Sequence, residues 1–167
     1  MLLRSNAEGA VRVESRGEVL NQFLVEVFGQ ILKAEAACLA GKDLSLRELH
    51  LIEEVCRAEE EGRDNRATAI AAAQRVTAGT LTTAVTLLEK KGYLERRRDE
   101  KDRRAVRILP TAAARAANAV HARFHREMVD GLLAVLTEEE TGVLVRALGH
   151  LAGFFQEKGR QNRPIRG

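Results

Sequence analysis

Apolar residues recur at helical spacing along most of the chain. In the first long run, Val19, Leu20, Phe23, Leu24 and Val27 fall on one stripe, because positions three or four apart share a helix face. The same period returns in later segments and predicts further helices. In contrast, YLERR and AVRIL flank a polar loop and predict a β-hairpin. The pattern therefore predicts a mainly α fold with one hairpin.

Capping signals mark the helix boundaries. Ser45 followed by Glu48 is a capping box, and Thr77 predicts the N-terminus of a later helix. Gly92 stands where that later helix needs a left-handed residue in order to end. Thr111 predicts the start of another long helix. These signals divide the pattern into separate helices joined by short turns.

The order of the elements is that of a winged helix-turn-helix domain: two short helices, a turn, a further helix and a hairpin. The segment RATAIAAAQ is the short helix before the turn, and Asp64 or Asn65 is its predicted cap. We predict a flexible N-terminal segment over 1–16, one domain over 17–158 and a polar tail over 159–167. Within the domain we predict dimerisation helices at 17–41 and 111–158, the winged helix-turn-helix at 45–109, its recognition helix at 77–91 and its wing at 93–109.

The flanking helices carry apolar faces wider than one small winged domain can cover. We therefore predict a homodimer, with a single compact monomer as the alternative. A two-fold dimer presents two recognition helices to DNA half-sites ~34 Å apart.

Composition narrows the class of protein. The chain has 167 residues, of which 45% are apolar, and this excludes a disordered polyelectrolyte. Its apolar runs are far shorter than the ~18 to 20 residues that span a bilayer. The start, MLLRSNAEGA, lacks the apolar core of a secretory signal. We therefore expect a cytoplasmic protein with no membrane partner.

Positive charge is concentrated in one segment. The chain has a net charge of +3, yet residues 90–104 contain eight Lys or Arg against four Asp or Glu. Residues 42–62 contain three against seven. Taken alone, the basic run fits a solvated turn as well as a surface for a polyanion. Its position directly after a helix-turn-helix pattern favours double-stranded DNA as the partner.

The predicted recognition helix carries threonines on its outer face. Threonine donates and accepts hydrogen bonds and offers a methyl group to thymine, which suits the major groove, and the helix N-terminus points free N–H groups at phosphate. Arginines of the wing suit a narrow minor groove. The predicted DNA contacts are Thr77, Gly79, Thr80, Thr82, Thr83, Thr86 and Lys90 in the helix and Arg98, Lys101, Arg103 and Arg104 in the wing.

The stretch TAGTLTTAVTLLEKKGYLERRRDEKDRRAVRILPT resembles the recognition helix and wing of the MarR family of bacterial transcriptional regulators. The family's wing motif, Asp-x-Arg, is matched by Asp102, Arg103 and Arg104. The resemblance implies that Asp102 braces the wing and that Arg104 enters the minor groove.

A narrower resemblance links DLSLRELHLIEEV and HARFHREMVDGLLAVLTEEE to the fatty-acid-synthesis repressors of that family. It implies a dimeric repressor whose operator binding is strengthened by acyl carrier protein loaded with a long acyl chain. Pro110 departs from the apolar residue usual before the closing threonine of the wing, which leaves the last pairing of the hairpin open because proline has no N–H.

Other regulators fit the same pattern. One alternative is release from DNA by a small phenolic ligand or by cysteine oxidation, and another is a non-specific architectural DNA binder. Side chains at the junction of the first, second and fifth long helices are candidates for binding an acyl chain or another effector. The same side chains also suit an ordinary dimer core. These effector-pocket candidates are Phe23, Val27, Phe28, Ile31, His50, Phe124 and Met128.

The remaining candidate chemistry is sparse. His121 and His125 stand four apart, a spacing that suits two ligands of one metal ion, but no metalloprotease box surrounds them. A surface or pocket-lining role is favoured, and no metal or cofactor is predicted. Cys38 and Cys56 are predicted to pack as small apolar residues. No phosphate loop, nucleophile elbow or acid–base set is present, so we predict no enzymatic activity.

Overall fold

The computed structural model describes residues 3–5, 11–13, 15–99, 102 and 104–161. It forms two units, Met1–Ala122 and Arg123–Gly167, and one helix runs through the boundary between them. The elements in chain order are β1 Leu3–Ser5, β2 Val11–Val13, α1 Arg16–Ala37, α2 Leu46–Glu60, α3 Ala67–Ala73, α4 Ala78–Lys90, β3 Leu94–Arg98, β4 Val106–Pro110, α5 Ala112–Leu133 and α6 Glu138–Gln161. The predicted mainly helical fold with one wing is confirmed.

The N-terminal segment contains a feature that the sequence pattern does not predict. Within residues 1–16, expected to be irregular, β1 and β2 pair antiparallel with Leu3 opposite Val13. Three-residue strands are too short for alternation to be recognised in a sequence. The other residues before Ser15 lie outside the described part of the chain.

Helix α1 begins and ends with local hydrogen bonds. Ser15 and Glu18 form a capping box, in which each side chain accepts a hydrogen bond from the backbone N–H of the other residue. The helix ends at Ala37 rather than at residue 41. Beyond it, Leu39 N donates to Ala36 O over 3.1 Å, and Gly41 has a φ of 76°, so the chain tightens into a turn and leaves the helix.

The core of the first unit lies between α2, α3, α4 and the wing strands. Side chains of α2 at helical spacing, among them Leu49, Ile52 and Val55, are at most 1% exposed. They meet Ile70 of α3 and Leu88 of α4 in one cluster of buried residues. At ~25 cal/mol per Å² of buried apolar surface, this cluster supplies the main stabilisation of the winged domain.

Helix α3 starts differently from the prediction. Its N-cap residue is Arg66, which makes no capping hydrogen bond through its side chain. Asp64 instead accepts a 3.0 Å hydrogen bond from the N–H of Arg66, and Asn65 is buried against β4. Asn65 therefore makes a tertiary contact instead of the capping hydrogen bond that the local sequence predicts.

The wing is a two-stranded antiparallel hairpin. Leu94 of β3 stands opposite Pro110 of β4, so the pairing continues to the proline. The N–H of Thr111 donates to Tyr93 O over 3.0 Å and closes the end of the ladder that proline leaves without a donor. The backbone of Arg66 adds one bridge to Arg107 on the other side of β4.

The second unit consists of the end of α5 and the whole of α6. Thr137 and Glu140 form a capping box at the start of α6. The helix continues to Gln161 and so includes the first residues of the predicted polar tail, whereas residues 162–167 lie outside the described part. Several large apolar side chains of this unit are exposed: Met128, Val129, Leu132, Leu133, Val135, Val143, Val145, Leu148, Phe154 and Phe155.

No helix in the described ranges is both long and apolar enough to cross a membrane.

Candidate nucleic-acid interface

Helix α4 divides into a buried face and an exposed face. Leu81, Val85 and Leu88 are at most 3% exposed and pack into the core, because their spacing places them on one stripe. The opposite face presents threonines to solvent. Of the predicted helix contacts, Thr77, Gly79, Thr80, Thr82, Thr83 and Lys90 are exposed, and Thr86 is partly buried.

The threonine hydroxyls of α4 already have partners within the helix. Thr77 Oγ1 caps it by accepting a 3.1 Å hydrogen bond from Thr80 N. Thr83 Oγ1 donates to Gly79 O over 3.2 Å, and Thr86 Oγ1 donates to Thr82 O over 2.8 Å. The hydroxyl protons are thereby oriented inward, which leaves oxygen lone pairs and methyl groups on the outer face.

The C-terminus of α4 is tied to the start of α2. Lys91 Nζ donates to Glu48 Oε1 over 2.9 Å and lies 3.4 Å from Asp43 Oδ1. The hydrogen bond to Glu48 raises the pKa of Lys91. For Glu48, burial raises the pKa, but hydrogen bonds from Ser45 and Lys91 outweigh it, and the net pKa is lowered. This ion pair joins the two ends of the helix-turn-helix.

Arg96 of β3 links the wing to α4. Its Nη2 donates to Thr82 O over 2.9 Å and to Thr86 Oγ1 over 3.0 Å, and its Nη1 pairs with the carboxylate of Glu89. The N–H of Arg96 also donates to Glu89 Oε1 over 3.0 Å. Helix α4 and the wing therefore lie side by side, and the orientation of one is fixed by contacts with the other.

The tip of the wing carries Asp102 and Arg104 of the Asp-x-Arg stretch. Asp102 Oδ1 accepts a 3.0 Å hydrogen bond from Arg104 N, and Ala105 N donates to Asp102 O over 2.8 Å. Asp102 and Arg104 are both exposed, as is Arg98 on β3. Asp102 thus shapes the turn that presents Arg104 to solvent. The other predicted wing contacts, Lys101 and Arg103, lie outside the described residues.

A buried aspartate at the base of the wing was not among the predicted site residues. Asp99 is 5% exposed, and its carboxylate accepts hydrogen bonds from Arg107 Nε over 2.5 Å and from Asp102 N over 3.1 Å. Arg107 in turn donates to Asn65 Oδ1 over 2.6 Å. Sequence gives only a weak signal for this set, because Asn65 and Arg107 are far apart along the chain.

An open polar cleft of about 440 Å³ lies beside this network. Its lining includes Asp64, whose pKa is lowered to about 2 by hydrogen bonds from Arg66. The lining residues are Gly62, Arg63, Asp64, Arg66, Asp99, Asp102 and Arg107. Because every side chain there is charged, the cleft does not suit an acyl chain.

The effector-pocket candidates fall in both units. In the first unit, Phe23 and Phe28 are exposed on α1, whereas Val27, Ile31 and His50 are partly buried. In the second unit, Phe124 is partly buried and Met128 is exposed. Their role in effector binding stays a prediction.

His121 and Cys56 are both buried. His121 is 1% exposed and faces α1 and α2, so of the two predicted roles the surface one does not apply to it and the pocket-lining one stays a prediction. Cys56 is also 1% exposed within the apolar cluster, as predicted for a packing role. Burial raises the pKa of the Cys56 thiol to about 11, which keeps it protonated near neutral pH.

Comparisons with known proteins agree with this geometry. The MarR family model matches residues 58–106, from the end of α2 into β4. FabT of Streptococcus pneumoniae, solved in complex with DNA, is 35% identical, with a TM-score of 0.73 over 83% of this chain and 96% of that protein.

Of two further relatives, one is less similar in sequence and the other matches over a shorter stretch of the chain. The S. aureus MepR–DNA complex shares the fold, with a TM-score of 0.66 and 18% identity over 84% of this chain and 99% of that protein. An uncharacterised HTH-type transcriptional regulator of Bacillus subtilis (strain 168), YwhA, is 34% identical over 71 residues, which are 42% of this chain and about half of that relative.

Proposed function

The chain belongs to the MarR family of DNA-binding transcriptional regulators, and from this premise we propose that it is a sequence-specific repressor of fatty-acid synthesis genes. We further propose that acyl carrier protein carrying a long acyl chain modulates its DNA binding. No cofactor or catalytic step is part of this proposal.

One observation carries the DNA-binding part, namely the junction of α4 with the wing at Arg96. Two elements held together by side-chain hydrogen bonds can enter adjacent grooves as one rigid body, with Thr80, Thr82 and Thr83 toward the major groove. Arg104 at the wing tip then reaches the minor groove. A rigid pair of elements favours sequence-specific binding over architectural binding, for which a fixed direction is unnecessary.

Exposed apolar side chains support a homodimer. On α1, Leu20, Phe23, Val25, Phe28 and Leu32 are each about half exposed or more. The second unit carries its own large set of exposed apolar side chains on α5 and α6. Large exposed apolar side chains in such numbers favour a protein–protein interface, and a second copy is the partner that a palindromic operator requires.

The assignment to fatty-acid synthesis genes rests on sequence and structural similarity to known repressors. Residues 43–55 and 121–140 resemble the fatty-acid-synthesis repressors, and FabT is similar over most of both chains. A pocket for the acyl group would use the partly buried Val27, Ile31 and His50 together with Phe23 and Phe28. Phe124 and Met128 belong to the second unit and stay candidates on the sequence pattern alone.

Cysteine oxidation is the weaker alternative. A thiol with a pKa of about 11 carries little thiolate at neutral pH, and thiolate is the species that oxidants attack. Cys56 is also buried, which limits the access of an oxidant to it, whereas Cys38 is partly buried. Release by a phenolic ligand remains a second candidate within the same family.

The test is a mobility-shift titration on the DNA upstream of the protein's own gene, with a shuffled sequence of equal length as the control. A specific dimer should prefer the operator by ~10³-fold or more and should lose affinity steeply with salt. Long-chain acyl carrier protein should change operator affinity, whereas unloaded carrier protein should not.

Two outcomes would overturn the proposal. Equal affinity for operator and shuffled DNA favours an architectural protein. Specific binding that acyl carrier protein leaves unchanged, but that salicylate-like compounds abolish, favours the phenolic alternative.

A further inference from the structure

A series of hydrogen bonds runs from the turn between α2 and α3 to the tip of the wing. Asn65 Oδ1 accepts a 2.6 Å hydrogen bond from Arg107 Nη1, and Arg107 Nε donates to Asp99 Oδ2 over 2.5 Å. The other carboxylate oxygen of Asp99, Oδ1, accepts from Asp102 N over 3.1 Å. Asp102 Oδ1 in turn accepts a 3.0 Å hydrogen bond from Arg104 N. These bonds connect a buried turn residue to the backbone of the exposed Arg104.

Asp99 is buried although it directly follows two exposed arginines of β3, Arg97 and Arg98. A carboxylate leaves water at a high cost unless a charged partner and further donors replace the lost hydration. The guanidinium of Arg107 supplies the charge, and the N–H of Asp102 supplies another donor. The two oxygens of Asp99 therefore join strand β4 to the turn of the wing.

Asn65 holds β4 through its backbone as well as through its side chain. Ile108 N donates to Asn65 O over 2.9 Å, and the neighbouring Arg66 forms a β-bridge with Arg107. Asn65 itself is 7% exposed, so its contacts are shielded from water. Because both backbone and side-chain bonds reach the same strand, Arg107 is a fixed support for the Asp99 carboxylate.

We propose that Asp99 is a positioning residue for minor-groove binding by Arg104 and that it acts through the turn at Asp102. This inference rests on the proposed DNA-binding function. Without the Asp99 carboxylate, the N–H of Asp102 loses its acceptor, and the turn that presents Arg104 loses a constraint. An arginine reads a narrow minor groove only when its guanidinium is held at a defined position, so a looser turn lowers operator affinity.

The charge of Asp99 makes this role testable, because electrostatic repulsion alone predicts the opposite effect. A carboxylate in the wing repels DNA phosphates, so its neutralisation should tighten DNA binding through the overall field. The positioning role instead predicts weaker operator binding when the carboxylate is neutralised. The sign of the change in affinity therefore separates the two effects.

The first experiment measures operator affinity of the full chain by fluorescence anisotropy. Asp99→Asn keeps the size of the side chain but offers one oxygen instead of two, because the amide nitrogen is a donor. We expect this variant to bind the operator ~5- to 10-fold more weakly. Asp130→Asn is the matched control, since it removes an exposed aspartate charge from α5 and should change affinity by less than ~2-fold.

Combination with Arg104→Ala tests whether Asp99 acts through Arg104. If it does, the loss caused by Asp99→Asn should shrink to less than ~2-fold once residue 104 is already alanine, because the two substitutions then remove one shared interaction. In a Thr82→Ala background the full loss should persist, since Thr82 lies on α4 and outside this series of bonds. A general weakening of the domain would give the full loss in both backgrounds.

Amide hydrogen exchange in the free protein gives a second readout that needs no DNA. Asp99→Asn should speed exchange at the N–H groups of Asp102 and Arg104 by ~10-fold or more, whereas the N–H of Val85 in α4 should keep its rate. Arg107→Gln removes the charged partner of Asp99 from a side chain that is 40% exposed. It should give the same pattern with a smaller change, and it keeps the test available if Asp99→Asn does not fold.

Unchanged or tighter operator binding by Asp99→Asn would overturn the inference. So would an undiminished loss in the Arg104→Ala background, or unchanged exchange at Asp102 and Arg104. A protein that does not prefer its operator over shuffled DNA would instead contradict the proposed function. The exchange experiment would still decide whether Asp99 holds the turn of the wing, so the two failures are distinguishable.

Discussion

Arg96 Nη2 donates a 3.0 Å hydrogen bond to Thr86 Oγ1, so a wing strand is joined directly to the recognition helix. The same guanidinium pairs with Glu89 one turn further along α4. Planar guanidinium groups hold two partners at fixed angles better than a single ammonium does. Arg96 therefore sets the angle between α4 and the wing, the two elements that we propose enter adjacent grooves.

Removal of this link should weaken operator binding without unfolding the domain. We expect Arg96→Ala to lower operator affinity by ~1 to 3 kcal/mol, because the wing loses its fixed orientation. Glu89→Gln should have a smaller effect in the same direction. The double variant should lose less than the sum of the two, since both substitutions remove one interaction.

The measurement is a double-mutant cycle by mobility shift, with circular dichroism as the check on folding. Strict additivity of the two effects would mean that Arg96 and Glu89 act separately, and the linking role would fail.

Arg104→Ala should weaken operator binding by ~1 to 3 kcal/mol, because the side chain is exposed at the wing tip and is placed by Asp102. The matched control is Arg146→Ala, which removes an equally exposed positive charge from α6. Fluorescence anisotropy with labelled operator measures both. Equal losses in the two variants would point to net charge rather than to a groove contact.

Glu48→Gln should destabilise the fold in a pH-dependent way. The pKa of Glu48 is lowered from 4.5, so its stabilisation is present above that value and is lost as the pH falls below it. At pH 7 we expect a loss of ~1 to 2 kcal/mol, because the substitution weakens the capping box and the ion pair with Lys91.

Urea denaturation at pH 7 and pH 3 measures this difference between Glu48→Gln and the unaltered protein. The gap should narrow toward pH 3, because the carboxyl group of the unaltered protein takes up a proton as the pH falls through its lowered pKa. A gap of the same size at both pH values would exclude the charged interaction as its cause.

Gly92→Ala should destabilise the protein by ~1 kcal/mol, because Gly92 has a φ of 78° and an L side chain is strained there. A new Cβ would meet no atom within 4 Å, so backbone strain is the only expected cost. Gly79→Ala is the control, since Gly79 lies in the first turn of α4 and should be neutral or slightly stabilising. Chemical denaturation compares the two, and equal effects would exclude strain at residue 92.

Local signals predicted much of this molecule correctly. Ser45, Thr77 and Thr111 cap the helices as expected, because a capping hydrogen bond reaches only three residues along the chain. The prediction that Asp64 or Asn65 caps α3 was wrong, because Asn65 bonds to Arg107 of the wing instead. A signal read from neighbours in sequence cannot include a partner 42 residues away.

The sequence by itself determined the helices, the hairpin and the wing motif, since periodicity, caps and turns depend on residues within a few positions of one another. Only the tertiary structure decided which charged residues became structural. Arg96 turned toward α4, Asp99 became buried beneath the wing, and Glu35 came to face His50 and His121. Each of these depends on packing that brings separate elements together, and burial then strengthens the electrostatic interactions of the groups that meet.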